Sequence, residues 1–149
     1  MHNDKEGMSL IVKTVARTLS GLILLYGIYI VVHGHVSPGG GFAGGIIIAL
    51  SFLLLMLALG KEFVLKRTST SIAFLFERMG AVMLLAIALA GFTGGYFFLN
   101  FFVSKGAPFK VFSAGIIPLC NIAIGLKVAA GLFAIFVVLI MLKFTDKGE

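Results

Sequence analysis

The 149-residue sequence contains little charge and a single cysteine. Charged residues make up 12% of the chain and hydrophobic residues 60%, with a mean hydropathy of +1.13, whereas about a quarter of the residues in a soluble domain are charged. This composition excludes an ordinary soluble domain and predicts an integral membrane protein. Cys120 has no partner for an internal disulfide, so no disulfide framework is encoded. The first apolar run is too long for a cleavable signal peptide, and we expect none.

Acidic residues are especially scarce. The chain has six, and each falls near a terminus or in a charged connector over residues 61–78. A self-sufficient ion transporter generally needs an ionisable acidic group inside the membrane. A chain without an acid in its apolar runs is therefore predicted to be one part of a larger complex. The same scarcity argues against a small homo-oligomeric drug exporter, which binds cations through a membrane carboxylate.

The sequence contains no nucleotide-binding loop, no cluster of metal ligands and no nucleophile–base pair. We therefore expect no enzyme active site, no cofactor and no metal. The formal net charge is +6, but the lysines and arginines flank apolar runs, where they set membrane orientation. Nucleic acid is accordingly not an expected partner.

Four apolar runs predict an all-α membrane protein with four transmembrane helices. Their approximate ranges are 12–33, 38–59, 78–102 and 117–142, and about 20 apolar residues cross a hydrocarbon core. The chain is predicted to form one multi-pass domain over residues 1–149 in the cytoplasmic membrane. Basic residues concentrate in the N-terminal segment, the middle connector and the C-terminal tail, which predicts that both termini are cytoplasmic. The basic start of the first run could also lie in the membrane interface.

A helix-breaking stretch, HGHVSPGGGFAGG, separates the first two runs over residues 33–45. Histidines, a proline and consecutive glycines do not form a lipid-facing helix, so this stretch predicts a tight turn at the outer membrane surface. Ser37 is the expected N-cap, and Pro38 the first helical residue. Two small-xxx-small pairs follow, and they predict close helix packing; the pairs are Gly40/Gly44 and Gly41/Gly45.

The same stretch resembles the signature of the B-type (MnhB/MrpB-like) subunit of multi-subunit Na⁺/H⁺ antiporters, a subunit type also found in related membrane-bound hydrogenase complexes. A second block, SAGIIPLCN over residues 113–121 with GLKV over 125–128, is similar to the C-terminal signature of that family. The resemblance covers nearly the whole chain. It implies that the structural residues of the turn are Pro38, Gly39, Gly40, Gly41 and Phe42.

The resemblance further implies an accessory subunit that packs among large antiporter-like subunits, in a complex that usually admits protons and expels sodium. The expected partners are these membrane subunits, lipid, Na⁺ and H⁺. Two alternatives remain open: the same subunit in an ion-pumping, hydrogenase-like respiratory complex, and a purely structural scaffold.

Lys127 is the only charged residue deep in an apolar run. It lies nine residues after Pro118, roughly 13 Å into the fourth helix, where a lysine is expected to face protein or a water-filled cavity. Small residues share its helical face, whereas the opposite face, which includes Phe133, is predicted to contact lipid. Lys127 is therefore a candidate for a proton or ion path; the alternative is a structural lysine paired with a carboxylate of another chain.

Other polar residues are weaker candidates for the same path. His33 shares a helical face with Tyr26 and Tyr29 and, with His35, could relay protons from the outer surface; an amphipathic interfacial belt is the favoured interpretation of this face. Asn121 could line the path or form a hydrogen bond between helices. Glu77 is expected at the mouth of the third helix, paired at the surface with Arg78 or Lys66.

Overall fold

The computed structural model describes residues 8–36, 38–60, 70–100 and 114–145, without the side chains of 70 and 141–145. Four α-helices carry the fold: α1 (Leu10–His33), α2 (Gly40–Leu59), α3 (Thr70–Ala90) and α4 (Ile117–Thr145). A short 3₁₀ helix, Gly91–Gly94, continues α3. Within the described residues there is no strand, and four segments are long and apolar enough to span a membrane. The prediction of an all-α protein with four membrane helices is confirmed.

The helices do not pack in chain order. Helices α1, α2 and α4 pack together, and α3 joins them mainly along α4. The buried positions include many alanines and glycines, so the helix axes approach closely. The spatial order is therefore α1, α2, α4, α3, with α3 at one side of the molecule.

Helix α2 begins at Gly40, not at Pro38, and its N-cap is Gly39. The expected N-cap, Ser37, lies outside the described residues. Gly39 has φ 134° and Gly40 has φ 66°, backbone angles that residues with a Cβ rarely adopt. The prediction of Pro38 as first helical residue is therefore wrong, because the chain reverses through these two glycines before the helix starts. At the other end Gly60 is the C-cap, a position that glycine commonly takes, and its N–H donates to the Met56 carbonyl over 3.1 Å.

The predicted range of the third helix, 78–102, is wrong at both ends. Helix α3 begins at Thr70, so Glu77 and Arg78 lie within it. The helical chain ends at Gly94, and Gly95 follows with φ 103°. A glutamate and an arginine can enter a helix whose charged side chains reach polar surroundings, whereas glycines at 91, 94 and 95 favour termination.

A small apolar cluster joins α2, α3 and α4. Phe133 of α4 is 5% exposed and lies edge-to-face with Phe52 of α2, the ring centroids 5.8 Å apart. Met56, Ala73 and Val137 are buried with it. The prediction that Phe133 faces lipid is therefore wrong: α2 covers this side of α4, because its small residues let the two helices approach.

Candidate functional site

Asn121 anchors the glycine turn, which we define as residues 34–41. The Gly41 N–H donates to Asn121 Oδ1 over 3.3 Å, which satisfies one of the N–H groups that a helix start leaves without a partner. A Cβ on Gly34 would lie 2.9 Å from Asn121 Nδ2, and a Cβ on Gly41 would overlap the Asn121 backbone. Glycine at these positions therefore lets the side chain of α4 enter the turn. The structure shows the predicted hydrogen bond between helices.

Glycines of α2 contact the backbones of both neighbouring helices. A Cβ on Gly44 would lie 2.9 Å from the Gly27 carbonyl oxygen of α1. A Cβ on Gly45 would lie 2.8 Å from the Gly125 carbonyl oxygen of α4. In a bilayer such close packing replaces the hydrophobic effect as the main source of helix association. Phe42, by contrast, is 62% exposed and turns away from this contact, so its role in the turn stays a prediction.

His33 ends α1 at the turn. Its ring stacks on Tyr29 with centroids 4.2 Å apart, and Nδ1 lies 3.2 Å from the Tyr29 carbonyl oxygen. A carbonyl oxygen only accepts, so this geometry places a proton on Nδ1. Tyr26 and Tyr29 are more than half exposed, and they form the outer side of α1. His35 lies in the turn, partly buried.

Lys127 lies where α3 and α4 touch. A Cβ on Gly80 of α3 would lie 2.9 Å from the Lys127 amide nitrogen and 3.0 Å from Lys127 Cβ. The helices thus meet backbone to backbone at this level. The Lys127 side chain is exposed on the surface of the chain, although its residue lies near the middle of the apolar span Ile117–Ile140. The site therefore presents a cation at mid-membrane depth, on a surface that no other part of the described chain covers.

Glu77 is the residue that the sequence interpretation misplaced. It lies inside the apolar span Ser71–Gly94 and is half-buried. A Cβ on Gly131 of α4 would lie 3.7 Å from Glu77 Cδ and Oε1, so the carboxylate rests against α4. The expectation that no acid enters an apolar segment is wrong. The expected partner Lys66 lies outside the described residues. Spacing could have revealed the position, because Ala73, Glu77 and Gly80 share one helical face.

The structure does not bring the predicted path residues together at one point. Asn121 lies on the α2 side of α4, six residues and about 9 Å along the axis from Lys127. His35 belongs to the turn that Asn121 anchors, and His33 is the last helical residue before that turn. The candidate residues therefore form two sites, one at the glycine turn and one where α3 meets α4.

Comparison with known proteins gives a consistent result. Residues 11–134 match the family described as a domain related to the MnhB subunit of Na⁺/H⁺ antiporters. The chain is 36% identical over 113 residues to the B subunit of the Na⁺/H⁺ antiporter of Bacillus subtilis, covering 76% of this chain and 71% of that protein. It is 43% identical over 128 residues to an uncharacterized protein of Methanocaldococcus jannaschii, covering 82% of this chain and 48% of that one.

A solved structure shares the fold. One chain of the membrane-bound sulfane sulfur reductase, an archaeal respiratory membrane complex, superimposes with a TM-score of 0.76 and 33% sequence identity. The match covers 89% of this chain and 58% of that chain. The present chain thus spans about half of the Methanocaldococcus relative and somewhat more of the reductase chain.

Proposed function

Because this chain belongs to the family of domains related to the MnhB subunit of Na⁺/H⁺ antiporters, we propose that it is a small membrane subunit of a multi-subunit cation/proton antiporter. It contributes no catalytic site of its own. The chain is a multi-pass membrane protein with four spanning helices. Its partners under this proposal are other membrane subunits, and the transported ions are Na⁺ and H⁺.

The exposed Lys127 is the observation that carries the proposal. A lysine facing acyl chains at the middle of a bilayer costs about 2.5–3.5 kcal/mol on insertion scales. Lys127 is exposed on the surface of the chain and belongs to the central part of a 24-residue apolar span. A neighbouring subunit or a hydrated cavity at the interface between subunits removes this cost. The surface around Lys127 is therefore our proposed contact with an antiporter-like subunit.

Lys127 contributes to a proton or sodium path under this proposal. A desolvated lysine can exchange protons, in contrast to arginine, which stays charged. His33 and His35, with Asn121 holding the turn, provide polar groups at the predicted outer surface. The basic connector and tail then face the cytoplasm, in keeping with the positive-inside rule.

The test is transport by the assembled complex in everted vesicles. Lys127→Met is expected to lower sodium-driven proton movement at least tenfold while the subunit still copurifies. Lys127→Arg retains the charge without the ability to release a proton, so it separates conduction from a fixed charge. Lys143→Met, which removes an equal charge from the same helix, is the matched control and is expected to leave transport unchanged.

Normal transport by an assembled Lys127→Met complex would support the scaffold alternative. In that case the chain holds its neighbours together through its outer faces and carries no part of the path. Loss of copurification in Lys127→Met alone would show that the amine binds a partner.

A second candidate is the same subunit type in a respiratory complex. It is favoured by the fold match to a chain of the sulfane sulfur reductase, which is a respiratory membrane complex. Proteins that copurify with this chain in mild detergent discriminate the two. Antiporter-like subunits alone support the antiporter, and additional redox subunits support the respiratory complex.

A further inference from the structure

Helices α3 and α4 carry opposite charges at matching levels. The helices run antiparallel, since Gly80 contacts Lys127 while Glu77, three residues earlier, contacts Gly131, four residues later. Glu77 and Gly80 lie on one face of α3, and Lys127 and Gly131 lie on one face of α4. The Glu77 carboxylate therefore rests against α4 about one helical turn from the level of Lys127, whose side chain is exposed at the edge of the contact between the two helices.

Gly131 leaves open the space between the Glu77 and Lys127 side chains. With no side chain at this position, only the Glu77 carboxylate atoms lie within 4 Å of where a Cβ would be. Side chains tilt toward the N-terminus of their own helix, so in this antiparallel pair Glu77 and Lys127 lean apart. Accordingly no ion pair joins these two described residues in the structure. The four-carbon stem of lysine is about as long as one helical turn, so one water molecule is enough to bridge a remaining gap between the amine and the carboxylate.

We propose that Glu77 and Lys127 form a proton-exchanging couple within the membrane. In the forward step the O–H bond of the Glu77 carboxyl breaks and its proton forms an N–H bond with the neutral Lys127 amine, directly or through one water. The products are a carboxylate and an ammonium, and the reverse step restores the starting pair. This inference rests on the proposed function, because a neighbouring subunit must deliver the proton to one member and take it from the other.

The surrounding charges favour a proton over a sodium ion as the transferred species. Lys127 is the only charged residue of α4 between positions 117 and 140, and Arg78 on α3 is exposed and points about 100° away from Glu77. An ammonium within one turn repels a metal cation from the carboxylate, whereas it exchanges protons with it readily.

Transport in the assembled complex tests the coupling. Glu77→Gln and Lys127→Met are each expected to lower sodium-driven proton movement at least tenfold, and the double variant is expected to be no worse than either single one. Arg78→Gln, which removes the adjacent exposed charge, is the matched control with unchanged transport. Independent effects that multiply in the double variant would overturn the couple.

Carbodiimide labelling gives a readout that does not depend on transport. Dicyclohexylcarbodiimide reacts with protonated carboxyl groups in apolar surroundings, so a mass-spectrometric adduct is expected at Glu77 in membranes containing the complex. Lys127→Met is expected to raise this labelling at least threefold at one pH, because it removes the amine that accepts the Glu77 proton under this proposal. Labelling that Lys127→Met leaves unchanged would refute the couple, even if Lys127 itself proves essential for transport.

Gly131→Leu tests the route between the two groups. It fills the open position, displaces only the end of the Glu77 side chain and removes neither charge, and it is expected to lower transport at least tenfold in an assembled complex. Gly131→Ala, whose Cβ would make only ordinary contacts, is the matched control with retained transport. Full transport by Gly131→Leu would contradict a route between the two groups. If Lys127→Met leaves transport unchanged but still alters Glu77 labelling, the two groups interact without carrying transported protons, and the proposed path through Lys127 is wrong.

Discussion

The two sides of α4 are built differently. Toward α1 and α2, glycine backbones lie against other backbones, and Asn121 hydrogen-bonds to the start of α2. Toward α3, one glycine, Gly80, makes a comparable contact with the backbone of Lys127, and the Glu77 carboxylate lies against Gly131. We call these the glycine seam and the charged seam.

The glycine seam is the rigid side of α4, and the charged seam is the side that carries ionisable groups. Where helices meet through small residues, dispersion contacts and backbone hydrogen bonds fix one geometry. Where long charged side chains lie between helices, several rotamers are available. The charged seam also borders an apolar pocket of about 230 Å³ on its α2 side, so α3 is less tightly enclosed than α2. The glycine turn is thus held in one geometry, whereas the side chains of the charged seam can adopt several rotamers.

The largest expected effect contrasts a glycine from each seam. Gly44→Leu forces a side chain into the Gly27 backbone and Val31, and it is expected to cost more than about 3 kcal/mol or to abolish folding. Gly131→Leu, in the charged seam, is expected to cost less than about 1 kcal/mol because only the flexible end of Glu77 must move. Free energies of unfolding from titration in mixed micelles check this. Equal losses of unfolding free energy in Gly44→Leu and Gly131→Leu would contradict the distinction between the two seams.

Phe133→Ala probes the apolar side of the charged seam. Phe133 is 5% exposed and packs on Phe52, so its truncation enlarges the neighbouring pocket and is expected to cost about 3 kcal/mol. Phe136→Ala on the same helix is the control, with a smaller loss since that residue is less buried. The same unfolding titration is the measurement, and a loss below that of Phe136→Ala would contradict the packing.

Asn121→Ala removes the hydrogen bond that ties α4 to the start of α2. The expected loss is about 1 kcal/mol, as is typical of interhelical hydrogen bonds in membranes. Asn121→Asp retains an acceptor for the Gly41 N–H and is the matched comparison. Amide hydrogen exchange at Gly41 is expected to accelerate in Asn121→Ala, and unchanged exchange there would show that the bond does not hold the turn.

The smallest expected effect is that of a substitution at Gly21, and it serves as the reference for the other glycine substitutions. For Gly21 of α1, no described heavy atom outside its own helical turn and chain neighbours lies within 4 Å of where a Cβ would be. Gly21→Ala is therefore expected to stabilise the chain by up to about 1 kcal/mol, the intrinsic helical difference between the two residues. This value gives the baseline for every glycine substitution in the seams. A destabilisation measured by the same titration would show that position 21 packs more tightly than its geometry indicates.

Hydropathy alone predicted the four helices, and the turn between α1 and α2 followed from its glycines and proline. Gly60 was recognisable as a C-cap because it follows an apolar run and precedes a lysine. These features depend on local composition, which a single sequence contains.

The predictions for Glu77 and Phe133 were wrong because the positions of these residues depend on contacts between helices. Glu77 was assigned to a connector because a Glu-Arg pair resembles a helix boundary, yet α4 offers Gly131 opposite the carboxylate. Phe133 was assigned to lipid because it lies on the face of the helix opposite Lys127 and its small neighbours, yet α2 covers it. In a membrane, core and lipid-facing side chains are equally apolar, so periodicity cannot tell which face a neighbouring helix occupies. Only the spatial order of the helices resolves this.

The placement of α3 at one side of the molecule has a mechanical consequence. Since α3 meets the rest of the chain mainly along α4, a pull on its outer face acts directly on the spacing between Glu77 and Lys127. The hydrogen bond between Gly41 and Asn121 lies on the opposite side of α4, so such a pull affects it little. A small displacement of α3 therefore changes the distance between Glu77 and Lys127, while the contact between Asn121 and the start of α2 stays unchanged.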